Sequence, residues 1–253
     1  ALNLKGLERS SVTRYFVESN NGRRLGAASY RIGAFLDGKR DLTSTTTLVY
    51  TAAVTDPERN ESISGASLAG DNTNNHVAFW GTAGLAGKLA QGTWLAGVGS
   101  GFLPDQGGFG TANLGRGFDL TLYSAFTDIT VGRFGLMAEY LSARVERGSA
   151  ANTDADPKGF FIQPSFYLTE TIEAVARYAW LDTDHRGVNL SDAVRSAPGG
   201  GVMNTLTEWY AGGNYYLRGN DLKFQLGLVY GRTRDTVTGA PAPRGPHTRP
   251  SRR

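Results

Sequence analysis

Segments of roughly ten residues alternate apolar and polar side chains, and the connections between them alternate short and long. This double alternation constrains the fold more than any other feature of the chain. Phe118-Asp119-Leu120-Thr121-Leu122-Tyr123 and the run from Leu222 to Tyr230 are clean examples. A period of two puts one side-chain class on each face of a strand. Tight turns at one end and long loops at the other are the order of strands in a transmembrane β-barrel.

The pattern predicts ten strands, near Leu25–Leu36, Leu42–Val54, His76–Leu89, Thr93–Phe102, Gly117–Thr127, Arg133–Arg144, Lys158–Tyr167, Ile172–Leu181, Thr205–Leu217 and Leu222–Thr233. Short connections are expected at Asp37–Asp41, Ala90–Gly92, Asp128–Gly132, Leu168–Thr171 and Arg218–Asp221, where Gly, Asn and Asp supply the backbone freedom of hairpins. The long connections, Thr55–Asn75, Leu103–Arg116, Val145–Pro157 and Asp182–Asn204, are rich in Gly, Ser, Asn, Asp and Pro. The strict short–long order favours a meandering barrel over a soluble β-sandwich or jelly roll, because Greek keys do not produce it.

Composition is compatible with that reading. No stretch approaches the apolar run of ~20 residues that a membrane helix needs, and mean hydropathy is −0.30. A barrel escapes that test, because half of each strand faces the lumen. The chain has no cysteine, which excludes disulfides and thiolate chemistry. The start, Ala1-Leu2-Asn3-Leu4-Lys5-Gly6, has no signal-peptide core. Arg244, Arg249, Arg252 and Arg253 sit in a Pro-rich, acid-free tail, and setting them aside takes the formal charge from +3 to −1. The pI of 9.2 is therefore no argument for nucleic-acid binding, and no nucleic-acid partner is expected.

Register assigns faces. Lipid-facing candidates are Phe118, Leu120 and Leu122; Phe134, Leu136, Ala138 and Tyr140; and Phe160, Ile162, Pro164 and Phe166. Ile172, Ala174, Ala176, Tyr178 and Trp180 follow, then Trp209, Ala211, Tyr215 and Leu217, then alternate positions from Leu222 to Tyr230. Aromatics near strand ends, as in Tyr178-Ala179-Trp180 and Tyr215-Tyr216, would form the interfacial girdles. The first strand descends from a long outer segment and the last ascends to the outer side. Because barrel termini normally lie in the periplasm, an odd number of strands is expected on either side of this chain.

Glu208-Trp209-Tyr210-Ala211-Gly212-Gly213-Asn214-Tyr215-Tyr216-Leu217-Arg218-Gly219-Asn220-Asp221-Leu222-Lys223-Phe224-Gln225, followed by Tyr230-Gly231-Arg232-Thr233, resembles the late hairpin of the phosphate-selective porins. Glu8-Arg9-Ser10-Ser11 and Arg23-Arg24-Leu25-Gly26 are similar to that family's loop segment and the strand after it. The resemblance implies an all-β, antiparallel, porin-type barrel of sixteen strands in the bacterial outer membrane, assembled as a homotrimer. Five strands before this chain and one after it would complete that number. Residues 1–23 would be the extracellular or constriction-loop segment, 24–233 the barrel strands and 234–253 an atypical Pro/Arg-rich tail. The partners implied are the lipid bilayer and small hydrophilic or anionic solutes, with no cofactor. The function implied is passive diffusion through a pore, with phosphate among the anions.

A pore selects by its width and by the charges on its wall. Inward-facing charges by register are Arg31, Lys88, Asp119, Arg133, Glu139, Glu173, Arg177, Glu208 and Lys223. Arginine matches phosphate oxygens bidentately and stays charged, so Arg9, Arg14, Arg23 and Arg24, with Arg31 on the wall, are the candidates that the resemblance brings forward. Cross-wall pairing of these charges is the plainer alternative. A non-channel barrel or a soluble sandwich acting as a binding module is the competing function.

Catalysis has little support. His76, His185 and His247 are scattered, and Ser124 with His76 has no hydrolase spacing. Asp154-Ala155-Asp156 and Asp182-Thr183-Asp184 lack the Gly and Glu of a calcium loop. Gly97-Val98-Gly99-Ser100-Gly101 opens no helix, so it is read as a close backbone approach and not as a nucleotide fingerprint.

Overall fold

In a computed structural model, the described residues are 33–55, 77–106, 118–146, 156–182, 184, 205–219 and 221–234. They form one antiparallel sheet of ten strands in sequence order. The strands are β1 (Gly33–Asp41), β2 (Thr46–Thr55), β3 (Ala78–Leu89), β4 (Gly92–Gln106) and β5 (Phe118–Val131), then β6 (Phe134–Glu146), β7 (Lys158–Tyr167), β8 (Ile172–Asp182), β9 (Thr205–Arg218) and β10 (Leu222–Arg234). Each strand pairs only with its sequence neighbours, so β1 and β10 are the edges of this up-and-down wall.

Burial separates the faces. Along β8 the buried positions are Glu173, Val175, Arg177, Ala179 and Leu181, and β7 alternates with the same period. On the other face Phe160, Ile162, Phe166, Trp209, Tyr215 and Leu217 are exposed, as are Leu222, Phe224, Leu226, Leu228 and Tyr230. A row of large apolar side chains exposed at every second position suits a lipid surface and no aqueous one. The core sits on the opposite, inner face, where Met137, Phe161 and Ala179 form one cluster and Val229 packs on Val175 and Tyr210.

Sequence expectations change at four places, the first being that β4 runs on to Gln106 through the start of the expected Leu103–Arg116 connection. Asp37–Asp41 is strand, not turn; the reversal lies at Leu42-Thr43-Ser44-Thr45. Thr43 Oγ1 accepts the amides of Thr45 and Thr46 at 3.2 and 3.0 Å and closes the turn there. Asp128 likewise belongs to β5, and the turn shrinks to Gly132-Arg133, with Gly132 at φ +55. Finally, Leu122 is fully buried on the inner face beside Ser124 and Phe126, while Tyr123 is the exposed neighbour. The alternation of β5 is as expected there but its faces are reversed. The side chains of Phe118, Asp119 and Leu120 lie outside the described residues.

Candidate pore wall

The inner face of β6–β10 concentrates charge. Glu139 pairs across with Phe161, Phe161 with Ala179, and Ala179 with Glu208, which puts two carboxylates in one cross-strand row. Arg177 pairs across with Tyr210, one inner-face position closer to the short-turn end. Its guanidinium carbon lies 3.8 Å from the Tyr210 ring centroid, a cation–π contact that fixes the head group against the wall.

Nearer the short turns, Tyr167 pairs with Glu173, Glu173 with Asn214, and Asn214 with Gln225. These residues form a continuous network. The Tyr216 hydroxyl donates to Glu173 Oε2 at 2.5 Å, and Asn214 Nδ2 donates to the same oxygen at 3.0 Å. Gln225 Nε2 donates to Asn214 Oδ1 at 3.0 Å. Lys223 Nζ lies 5.9 Å from the Tyr216 ring centroid. Directional bonds of this kind lock the rotamers of wall side chains, so their charges are held at fixed positions.

Glu139 is held by one bond, from the Ser124 hydroxyl to Oε1 at 2.8 Å. Its Oε2, and Oε1 of Glu173, are buried with no hydrogen-bond partner among the described residues. Ser124 is thus bound to a carboxylate. His76, His185 and His247 lie outside the described residues.

Of the expected cationic residues, Arg177 and Lys223 stand together on the β8–β10 wall. Lys88 lies at the short-turn end of β3, in register with Thr93. Arg133 lies in the β5–β6 turn, where Nη1 donates to Leu168 O at 3.4 Å. Arg9, Arg14, Arg23, Arg24 and Arg31 lie outside the described residues. Sequence reasoning named the charges but not their neutral partners Asn214 and Gln225; Ser124 entered only as a hydrolase nominee, and Tyr216, expected with Tyr215 in the interfacial girdle, lies instead on the inner face with Tyr210, its hydroxyl on Glu173. The signal was available: once Trp209, Ala211 and Tyr215 are placed outward, Tyr210, Asn214 and Tyr216 must point inward.

The two acidic runs meet at the long-loop end. Asp156 N donates to Asp184 Oδ2 at 2.8 Å, and Asp184 N donates to Asp182 Oδ1 at 3.0 Å. The carboxylates of Asp182 and Asp184 are used by backbone amides, and the described residues hold no group of three potential metal ligands.

The family model for phosphate-selective porin O and P matches residues 105–244, from the end of β4 past the end of β10. That is more than half of the chain and all of the charged wall. The chain belongs to the phosphate-selective porin family. No curated protein and no solved structure matches it. The family is one of outer-membrane channels rather than enzymes, which agrees with a wall of fixed charges. The late-hairpin resemblance at Glu208–Gln225 falls inside the match, whereas the segment from Glu8 to Gly26 falls outside it.

Proposed function

We propose that this porin is a passive diffusion channel of the bacterial outer membrane for small hydrophilic solutes, with phosphate-like anions as the preferred class. The observation that carries the proposal is the division of the β6–β10 wall. Its outer face is apolar at alternate positions, while its inner face carries Glu139, Glu173, Arg177, Glu208 and Lys223. An apolar outside and a charged inside suit a wall between lipid and an aqueous path. The family's description supports anions as the cargo. Within this wall three carboxylates face two cations, so the anion preference is assigned to Arg9, Arg14, Arg23, Arg24 and Arg31 together with Lys88, Arg133, Arg177 and Lys223. A sixteen-stranded barrel in a homotrimer is the assembly proposed.

One observation favours a narrower path. Leu141, Leu181 and Leu206 line up through Gly159 on the inner face, and all three are almost wholly buried. An aliphatic row there suits a lumen that is filled on this side, as in a barrel that binds or anchors. Planar-bilayer recording separates the two readings. A channel gives stepwise currents, a reversal potential on the anion side in a salt gradient, and partial block by phosphate. Silent bilayers at high protein load would leave the filled barrel.

A further inference from the structure

We infer that the long-loop end of β8–β10 carries an external site for the phosphorylated headgroup of an outer-leaflet lipid, with Arg232 and Arg234 as its anion ligands. The inference rests on the outer-membrane reading of the wall and goes beyond the channel function, since it concerns the surface facing lipid.

On the outer face of β10 the apolar series Leu222, Phe224, Leu226, Leu228 and Tyr230 gives way to Arg232 and Arg234 in the same register. At ~3.3 Å per residue and the usual strand tilt, Leu222 to Tyr230 spans roughly 20 Å along the membrane normal, close to the whole apolar band of such barrels. The two arginines therefore begin where hydrocarbon ends. Short turns mark the periplasmic side, so this end faces outward.

Cross-strand partners confirm the level. Tyr230 pairs with Trp209 and Trp209 with Tyr178; Arg232 pairs with Thr207 and Thr207 with Trp180. Tyr178 and Trp209 pack with ring centroids 4.4 Å apart and their planes tilted by 50°, forming a local aromatic girdle. Trp180, Thr207, Trp209, Tyr230, Arg232 and Arg234 line an open groove of about 400 Å³. Both arginines are exposed, and neither guanidinium has an acidic partner among the described residues. Among the described residues of this outer face the nearest acid by register is Asp182, two strands from Arg234, and its Oδ1 accepts the Asp184 amide; Glu208, opposite Gly231, is buried on the inner face.

Two guanidiniums two residues apart on one strand face present forked donors ~7 Å apart, suited to phosphate oxygens. Indole faces beside them give the ring surface on which a headgroup sugar or the first acyl carbons can lie. A lone snorkelling arginine would need neither the second cation nor the groove.

The test uses the full chain reconstituted in phosphatidylcholine vesicles doped with a diphosphorylated glycolipid or with its dephosphorylated form. Lipid retained after detergent exchange is read by native mass spectrometry. The phosphorylated form should be retained about tenfold more, and R232Q/R234Q should abolish the difference. R232K/R234K should keep part of it. Equal retention of the two lipids by the unaltered chain overturns the proposal even if the variants fail to fold. Displacement of the glycolipid by millimolar inorganic phosphate also overturns it, because the groove would then be a site for a soluble anion. Conductance of the same vesicles reports separately on the channel, so failure of one reading is distinguishable from failure of the other.

Discussion

The inner surfaces of β3–β4 and β8–β10 come from the same strand period and do different work. From Ala78 to Ala86 and from Gly97 to Gly101 the inner face is neutral and small apart from Trp80, whose Nε1 donates to Thr55 Oγ1 at 3.0 Å. Across β8–β10 the corresponding positions are Glu173, Arg177, Glu208, Asn214 and Gln225. The wall of β3–β4 is held by shape, with the Trp80 ring lying on Gly101. The wall of β8–β10 is held by hydrogen bonds and carries charge. The period of the sequence sets which residues share a face; their chemistry then decides whether that face packs closely or carries charge.

The largest expected effect breaks the shape side of this contrast. A Cβ at Gly101 would stand 2.5 Å from the Trp80 ring, and the same ring is tethered to Thr55. Gly101→Leu should therefore destabilise the folded protein by about 3 kcal/mol, read as a lowered denaturant midpoint in micelles. Gly81 lies on the opposite face, and a Cβ there meets nothing within 4 Å. Gly81→Ala should stay within ~0.5 kcal/mol of the parent, and equal losses at the two glycines would refute packing as the cause.

On the charged side, Glu173→Ala leaves the Tyr216 hydroxyl and the Asn214 amide without their shared acceptor. The expected cost is about 2 kcal/mol, with the reversal potential moving toward anions because a fixed negative charge leaves the wall. Glu173→Gln should recover most of the stability, since its carbonyl oxygen still accepts, but should keep the changed ion preference. Thr82→Ala, on the neutral wall, should leave the preference where it was. A reversal potential that ignores Glu173 would place selectivity away from β8–β10.

This asymmetry also governs how much could be read from the sequence. Strands with aliphatic or aromatic residues at alternate positions, such as β7 and β10, were legible almost to the residue, because lipid on one side and the inner face on the other leave no second register. The face of Leu122 does not follow from the sequence, because period two says that a face is apolar, not which one, and it is the inner face of β5 that buries Leu122 and Phe126. The charges of the site were legible singly. The network was not, since the bonds of Glu173 to Asn214 and Tyr216 join residues more than forty positions apart in the chain. Asp37–Asp41 read as a turn from its Gly and acids. Yet Gly38 is a packing position, where a Cβ would run into the Tyr50 ring, and Asp37 and Asp41 accept the hydroxyls of Thr51 and Thr47 at 2.5 and 2.6 Å.

The smallest expected effect sharpens the comparison, because it concerns a device found both at the charged wall and well away from it. Leu42-Thr43-Ser44-Thr45 turns β1 into β2, and Leu168-Thr169-Glu170-Thr171 turns β7 into β8. In both, the leucine amide donates to the carbonyl of the first residue of the next strand at 2.9 Å. In both, the first threonine hydroxyl accepts two amides, at 3.2 and 3.0 Å. The variable third residue, Ser44 or Glu170, takes no part in those bonds. A side-chain oxygen that satisfies two turn amides replaces the glycine that other hairpins need. Thr43→Ala and Thr169→Ala should each cost about 1 kcal/mol, and Thr→Ser at either position should cost little, because the hydroxyl remains. Equality of the two losses is the decisive outcome, since one turn borders the edge strand β1 and the other borders the charged wall. A markedly larger loss at Thr169 would mean that the turn works by positioning Glu173 and Tyr216, whose amide donates to Thr171 O at 2.8 Å, and not by its own two bonds.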